Sequence, residues 1–131
     1  MKIALLGPIG TSDFYSVIKK KDRKSLPEGQ GGPTIVSLLA IGLLELGHKV
    51  SIITLSADIT DNKMVVYKNK KLNIYYCPMR KHTFRLSGFV LGRATDFFYR
   101  EIRFMRQAIE QDKPDIINAH WVYEYAFAAI F

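Results

Sequence analysis

The stretch from Gly29 to Val50 reads GQGGPTIVSLLAIGLLELGHKV, and it decides how the chain is expected to fold. Two adjacent glycines and a proline precede an apolar run that is broken only near Gly47. Proline is favoured at the first position of a helix, and glycine just beyond its last residue. The pattern therefore predicts a helix with Gly32 as its N-cap, Pro33 in its first turn and Gly47 after its end. Because the run is apolar on nearly every side, we expect this helix to be buried.

Short apolar segments on both sides of this helix predict strands. Lys2 to Leu6 ends at Gly7-Pro8, and Val50 to Leu55 is rich in β-branched residues, as buried strands are. Further along, the patterns predict a hairpin of Met64–Tyr67 and Leu72–Cys77, a helix from about Phe89 to Asp112, a strand over Asp115–Ala119 and a helix that begins at Glu124. Strands that alternate with helices predict an α/β fold, a Rossmann-like, mostly parallel sheet with helices on both faces. Residues 1–131 are expected to form one domain.

The segment from Thr11 to Gln30 is polar and rich in charge. Its length and composition predict a mobile loop, and long loops in compact domains are commonly functional. Five cations within it, which we call the basic run, could bind an anionic acceptor or lie on an acidic membrane: Lys19, Lys20, Lys21, Arg23 and Lys24. Arg93, Arg100 and Arg103, expected on the outer face of the long helix, could extend this surface. A charge run that is simply solvated is the competing interpretation.

Composition and charge narrow the classes of protein that fit. The 131 residues carry a formal net charge of +7, which favours anionic partners, but no nucleic-acid recognition motif accompanies that charge. The single cysteine, Cys77, cannot form an internal disulfide, so a reducing, cytoplasmic compartment is expected. The scattered histidines lack the spacing of a metal site, so no metal is expected. No window reaches the ~20 apolar residues that a membrane span needs.

The two glycines before the helix also suggest a phosphate site. A helix N-terminus offers unpaired N–H groups and a partial positive charge, and Gly31 and Gly32 would let a phosphate approach the backbone. Ordinary helix capping is the competing explanation. The dinucleotide-binding pattern G-x-G-x-x-G is absent after the first strand, where the sequence reads GPIG, and no Walker motif occurs. NAD enzymes and P-loop ATPases are therefore disfavoured.

Three segments together resemble the N-terminal domain of GT-B glycosyltransferases of family four, the group-one type. They are KIALLGP near the N-terminus, GGPTIVSLLAIGLLELGHKVSIIT after the variable loop, and KPDIINAHWVYEYA near the C-terminus. The resemblance implies a cytoplasmic enzyme, one that could lie at the inner face of the membrane, and that moves a sugar from a nucleotide-sugar donor to a saccharide or lipid acceptor of the cell envelope. It implies retention at the anomeric carbon and no cofactor. It also implies that Gly31 and Gly32 approach the donor diphosphate and that His120 lies near the donor sugar and the acceptor.

The family has a second domain that completes the donor cleft. The resemblance therefore implies that residues 1–131 are an incomplete first domain, inactive by itself. The strand Asp115–Ala119 would then be an unprotected edge that can pair with a second copy. A non-catalytic Rossmann-like module that binds a phosphorylated ligand or a partner subunit is the alternative interpretation.

His120 follows the last predicted strand, at the sheet edge where open α/β folds bind ligands. Its imidazole could orient a sugar hydroxyl, because histidine donates and accepts hydrogen bonds near neutral pH. A histidine that merely ends a strand is the competing interpretation. Trp121 and Tyr123 could stack on a sugar, but we expect them to lie in the core. A glycosidase is disfavoured because the sequence shows no evident pair of opposed carboxylates.

Overall fold

A computed structural model describes residues 1–31, 34–80, 92–121 and 123–130. Within these residues the strands and α-helices follow in this order: β1 (Lys2–Leu6), α1 (Ile35–Glu45), β2 (Lys49–Ser56), β3 (Val65–Lys68), β4 (Leu72–Pro78), α2 (Tyr99–Asp112), β5 (Ile116–Ala119) and α3 (Glu124–Ile130). Short 3-10 turns lie at Thr11–Phe14, Arg23–Ser25 and Arg93–Asp96.

The strands form one sheet in the order β3-β4-β2-β1-β5. Strand β1 pairs in parallel with β2 and β5, and β2 pairs in parallel with β4. Strand β3 is antiparallel to β4, as the predicted hairpin requires. The expected α/β fold with a mostly parallel, Rossmann-like sheet is therefore confirmed.

Two hydrophobic clusters, one on each face of the sheet, hold the helices in place. Alternate residues of β1 divide between them, because successive side chains of a strand point to opposite faces: Ile3 and Leu5 belong to one cluster, Ala4 and Leu6 to the other. The first cluster takes in α1 and the segment 9–18, through Ile9, Phe14, Ile18, Val36 and Ala40. The second takes in α2 and α3, through Met105, Ala108, Tyr125 and Ala128. The helices thus cover both faces, as predicted.

The expectation that the first helix is buried on nearly every side is wrong. Helix α1 buries only one side, and the opposite side leaves Ile35, Leu38 and Leu46 at 70%, 68% and 76% exposure. The N-cap is Thr34, whose hydroxyl accepts a hydrogen bond from the Ser37 N–H at 3.2 Å. A threonine cap satisfies one of the helix's unpaired donors, which a glycine side chain could not do. Gly32 and Pro33 lie outside the described residues.

The C-terminal end of α1 is as predicted. Gly47 has φ +85, and its N–H donates to the Leu44 carbonyl at 3.0 Å. The next N–H, of His48, donates to Leu43 at 3.1 Å. These two bonds form a Schellman motif, in which glycine is favoured because the left-handed conformation carries no side-chain penalty.

The predicted mobile loop over Thr11–Gln30 is instead part of the folded core. Phe14 and Ile18 are 0% and 2% exposed and pack on the sheet beside α1. Gly10 and Gly29 form an antiparallel bridge that closes the two ends of the segment. Apolar residues spaced among the charges anchor it, a signal that the overall polarity of the segment obscured.

The long helix begins later than the predicted Phe89. Helix α2 starts at Tyr99, after two consecutive residues in the left-handed conformation, Phe97 (φ 53) and Phe98 (φ 62). Non-glycine residues adopt this conformation at a cost, so the chain pattern did not predict it. Residues 89–91 of the predicted helix lie outside the described residues.

Candidate functional site

The topological switch point of the sheet, where the chain changes from one face to the other, is at β1. The chain leaves β1 across one face, through α1, to reach β2, and it reaches β5 across the other face, through α2. Open α/β sheets bind ligands outside the carboxyl ends of the strands at such a point, because the two loops diverge and leave a crevice. The turns that follow β1, β2 and β5 therefore define the candidate site.

Gly7, directly after β1, is enclosed by its neighbours. A Cβ at this position would lie 2.8 Å from Val36 Cγ2 and 3.2 Å from His120 Cβ. The close approach of α1 and the end of β5 therefore requires a glycine here. The sequence interpretation took Gly7 only as the end of a strand and missed this role. A glycine directly after the first buried strand could have indicated that other elements approach closely there.

His120 is held against this glycine turn by its backbone. Its N–H donates to the Leu6 carbonyl at 2.7 Å, which continues the β1–β5 pairing by one residue. The ring nitrogen Nε2 is buried and has no hydrogen-bond partner within the described part of the chain. Such an unpaired polar atom is uncommon, because burying it costs free energy. His120 thus lies at the predicted edge and presents one unsatisfied atom there.

The turn at residues 29–31 lies beside the β1 turn and is built on two glycines with different roles. The Gln30 N–H donates to the Ile9 carbonyl at 2.9 Å. Gly29 has φ +83, and a Cβ there would lie only 2.3 Å from the Ile9 oxygen. Gly31 also has φ +83, but a Cβ there would meet nothing within 4 Å. Gly29 is therefore enclosed, whereas Gly31 faces open space.

A cleft of about 240 Å³ opens in front of Gly31. Its walls include Gly10, Thr11, Ser12, Tyr15 and Glu28. Backbone groups, hydroxyls, one aromatic ring and one carboxylate are suited to a small polar ligand. Gly31 and His120 thus both lie near the segment that follows β1, at the same sheet edge. Gly32, the other glycine predicted to bind phosphate, lies outside the described residues.

The N-terminus of α1 is not bare, contrary to the interpretation of the glycines as a free phosphate site. Besides the Thr34 cap, the Ser37 hydroxyl in the first turn donates to the Asp13 carboxylate at 2.6 Å. A carboxylate near the positive end of a helix is stabilised by the helix dipole. An anionic ligand at this first turn would meet Asp13, whereas the Gly31 turn faces open space.

Two polar residues at the C-terminal end of β2 and just beyond it support the turn and were missed by the sequence interpretation. The Ser56 hydroxyl oxygen accepts from the Gly29 N–H at 2.9 Å, and the Asp58 carboxylate accepts from the Glu28 N–H at 2.9 Å. Ser56 also donates to Asp58. A serine and an aspartate directly after a buried parallel strand are the signal that could have identified them.

Tyr125 of α3 connects this turn to the end of β2. Its hydroxyl accepts from the Leu55 N–H at 3.2 Å and donates to the Gln30 side chain. Burial raises the pKa of this phenol, so it remains a neutral donor. The tyrosine thereby fixes the residue that precedes Gly31.

The expectation that Trp121 and Tyr123 lie in the core is wrong. They are 64% and 62% exposed, and both have left-handed backbone, with φ 73 and 69. Large aromatic side chains held outward in a strained conformation are unusual and often belong to binding surfaces. They place exposed rings directly after His120.

The structure divides the basic run: the Arg23 guanidinium lies 5.0 Å from the centre of the Tyr15 ring, which lines the Gly31 cleft, whereas the start of the run lies elsewhere. The Lys19 N–H lies 3.4 Å from the Tyr67 hydroxyl of β3, and the Asn69 amide after β3 contacts the Val17 carbonyl at 3.5 Å. Asn69 precedes β4, at the amino ends of the parallel strands, whereas His120 lies beyond their carboxyl ends. The start of the basic run and His120 therefore lie at opposite ends of the sheet, whereas Arg23 lies beside the cleft.

The remaining candidate groups do not form a second reactive centre in the described ranges. Cys77 is fully buried, and burial raises the pKa of its thiol, which disfavours the reactive thiolate. Over residues 1–31, 34–80, 92–121 and 123–130, no three His, Cys, Asp or Glu side chains are grouped as metal ligands, and no helix is long and apolar enough to cross a bilayer.

Comparison with known proteins adds no family to these observations. No protein-family model, no curated protein and no solved structure matches the chain significantly.

Proposed function

We propose that the chain is the acceptor-side part of a retaining GT-B glycosyltransferase, which transfers a sugar from a nucleotide-sugar donor to a saccharide or lipid acceptor. The observation that carries this proposal is the buried Nε2 of His120, without a partner among the described residues, at the switch point of the sheet. A ligand hydroxyl that pairs with this nitrogen would remove the cost of leaving it unsatisfied. Sugars supply hydroxyls that both donate and accept.

Other features of the same sheet edge support this role for His120. The open Gly31 turn and its cleft of about 240 Å³ offer backbone N–H groups and room for a diphosphate. The exposed rings of Trp121 and Tyr123 could stack on a sugar face. In this proposal the donor phosphate assists the acceptor hydroxyl, so the protein needs no nucleophile. A second domain, expected from the family resemblance, would supply the rest of the donor cleft.

The alternative is a non-catalytic Rossmann-like module that binds a partner subunit. The observation that favours it is the Thr34 cap and the Asp13 carboxylate at the first turn of α1, where an anionic ligand would otherwise be attracted. The exposed Trp121 and Tyr123 would then contact the partner. This alternative predicts that nucleotide-sugars have no effect on the protein.

The test uses the native polypeptide that contains this chain. Sugar transfer is measured with a panel of UDP-, GDP- and ADP-sugars and acceptor from the native cell envelope, for the parent, for His120→Ala and for His48→Ala. We expect His120→Ala to lower kcat/KM by about 100-fold, the usual effect of removing a hydrogen-bonding group at a reacting centre. His48, at the other end of α1, is the matched control and should leave the rate unchanged. Full activity of His120→Ala, or no turnover of any nucleotide-sugar by the parent, would contradict the proposal.

A further inference from the structure

The outward side of α1 is mostly apolar, with the exposed Glu45 near its C-terminal end. Ile35, Leu38 and the C-cap Leu46 are all more than two-thirds exposed, and their spacing places them on one stripe opposite the buried side. Gly42 lies within the same stripe, where a Cβ would meet nothing within 4 Å. The one charged residue of the helix is Glu45. Solvated helices carry polar residues on this side, so the stripe requires a partner.

The basic run lies on the same layer of the molecule. Phe14 and Ile18, which lead into it, share the hydrophobic cluster of α1 on one face of the sheet. Lys19, Lys20, Lys21 and Lys24 are exposed, and none of them forms an ion pair with a described residue. Arg23 is turned inward and bonds to the carbonyls of Ile18 and Tyr15. An exposed aliphatic stripe and a group of exposed, unpaired lysines therefore belong to elements that pack on the same face of the sheet.

We infer that this layer docks on an anionic lipid bilayer. Helix α1 would lie parallel to the surface, with Ile35, Leu38 and Leu46 among the upper acyl chains. The lysines of the basic run would contact acidic headgroups. Interfacial helices combine these two elements, apolar burial and electrostatic attraction, and bind more strongly as acidic lipid increases. The inference does not rest on the sugar-transfer proposal, since it uses neither His120 nor the Gly31 turn.

Charge and chemistry favour a bilayer over other occupants. Two copies of the chain that met through this layer would bring two groups of unpaired lysines together, and like charges repel. Nucleic acid would satisfy the lysines but would leave the aliphatic stripe against phosphates. A bilayer with acidic lipids satisfies both elements at once.

The experiment measures partition of the chain onto sedimented vesicles of phosphatidylcholine alone and of equimolar phosphatidylcholine and phosphatidylserine. One variant replaces charge, with Lys19→Gln, Lys20→Gln and Lys21→Gln together. A second replaces the stripe, with Ile35→Ser and Leu38→Ser together; these exposed positions should not affect folding, which circular dichroism checks. The matched control is Arg100→Gln, Arg103→Gln and Arg106→Gln on α2, which removes the same charge from the opposite layer.

We expect the parent to bind the acidic vesicles in preference to phosphatidylcholine alone. The lysine variant should lower that partition by about 100-fold, at roughly a factor of five for each lysine. The stripe variant should lower it by about 10-fold or more. The arginine control should remain close to the parent. Equal losses in the lysine variant and the arginine control, no loss in the stripe variant, or no binding by the parent would each overturn the inference.

Discussion

At the scale of single residues, glycines separate into those that the packing requires and those that it leaves free. Gly29 and Gly31 share φ +83, but only Gly29 has a backbone oxygen where a Cβ would lie. Gly29→Ala combines the cost of the left-handed conformation, about 1–2 kcal/mol, with a clash against backbone that has to move.

The paired alanine variants therefore have different expected stabilities. Gly31→Ala should lower the free energy of unfolding by about 1 kcal/mol, the backbone cost alone, and Gly29→Ala by roughly 3 kcal/mol. Urea denaturation of both variants measures the difference. Equal losses would mean that the segment around Ile9 shifts freely and that the turn is not fixed as described.

The sequence predicted the position of some residues of this site but not the contacts that support it. The edge position of His120 followed from its place after a strand. The sequence named Gly31 and Gly32 as a phosphate-binding turn; Gly31 faces open space, Gly32 lies outside the described residues, and phosphate binding stays a prediction. The Thr34 cap, Asp13 and Ser56 could not be predicted, because their roles depend on segments that are far apart in the chain and meet only in the fold.

At the scale of elements, a partly buried ion cluster connects the start of α2 to the end of β4. Arg80 donates to the Glu101 carboxylate at 2.7 and 3.0 Å and forms a two-bond pair with Asp96 at 2.7 and 3.0 Å. Glu101 is 1% exposed. Its charge is therefore compensated chiefly by this guanidinium and by the Arg80 N–H.

Removal of the Arg80 charge alone should destabilise the protein more than removal of the Arg80 and Glu101 charges together. Arg80→Met should lower the free energy of unfolding by about 3–5 kcal/mol, because Glu101 would be left charged and buried. Adding Glu101→Gln should recover a large part of that loss. Thermal or urea unfolding of the two variants provides the comparison. If the double variant were no more stable than the single one, the side chains would not act as a coupled pair.

The other end of α2 predicts a pH dependence. Burial by itself would raise the pKa of Asp112, but hydrogen bonds from Lys2, Asn73 and Tyr75 outweigh it and hold the pKa below its ordinary value. A lowered folded-state pKa stabilises the protein above the unfolded value of about 3.9. The contribution is lost as the pH falls through the folded value.

The free energy of unfolding of Asp112→Asn should therefore fall furthest below that of the parent near neutral pH. There the expected loss is roughly 3 kcal/mol, since Lys2 would lose its carboxylate. The difference in free energy of unfolding should narrow below about pH 4. Denaturation at several pH values between neutral and strongly acid tests this. A difference independent of pH would mean that packing, not charge, accounts for the loss.

The type of each helix and strand was predicted well, but some of their boundaries were not. Every strand was expected within one or two residues, because alternation and β-branched runs are local signals. The late start of α2 was missed, since Phe97 and Phe98 adopt a conformation that their side chains disfavour. The packing of the segment 11–30 was missed because a few anchoring residues, such as Phe14 and Ile18, were outnumbered by charges.

At the scale of the whole molecule, the alternation of strands and helices predicted the fold class, but the fold class does not identify the function. Folds of this class support many activities, so the site and not the sheet must identify the reaction. The structure shows that the turns after β1, β2 and β5 meet at one edge of the sheet. No single segment of the sequence could have shown this. It also places Lys19, at the start of the basic run, beside β3, while Arg23 of the same run packs on Tyr15 at the cleft, a division that the sequence does not predict.

The two edges of the sheet differ, and this difference predicts how copies of the chain associate. Strand β3 is bordered by the exposed Lys63 and Lys68, a common protection against pairing. Strand β5 pairs with β1 on one side, and no described strand covers its other side. Its sequence, IINA, carries no charge, and Ile116 is 47% exposed. We therefore expect association through β5.

The matched variants place one lysine on each edge. Ile116→Lys should weaken concentration-dependent association of the chain by at least about 5-fold, because a charge opposite its own copy is unfavourable by roughly 1 kcal/mol. Val66→Lys, on the already protected β3, should leave association unchanged. Sedimentation velocity over a range of concentrations compares them, with urea denaturation as a check that both remain folded. An equal effect of the two variants, or a parent that stays monomeric throughout, would mean that β5 is not a pairing edge.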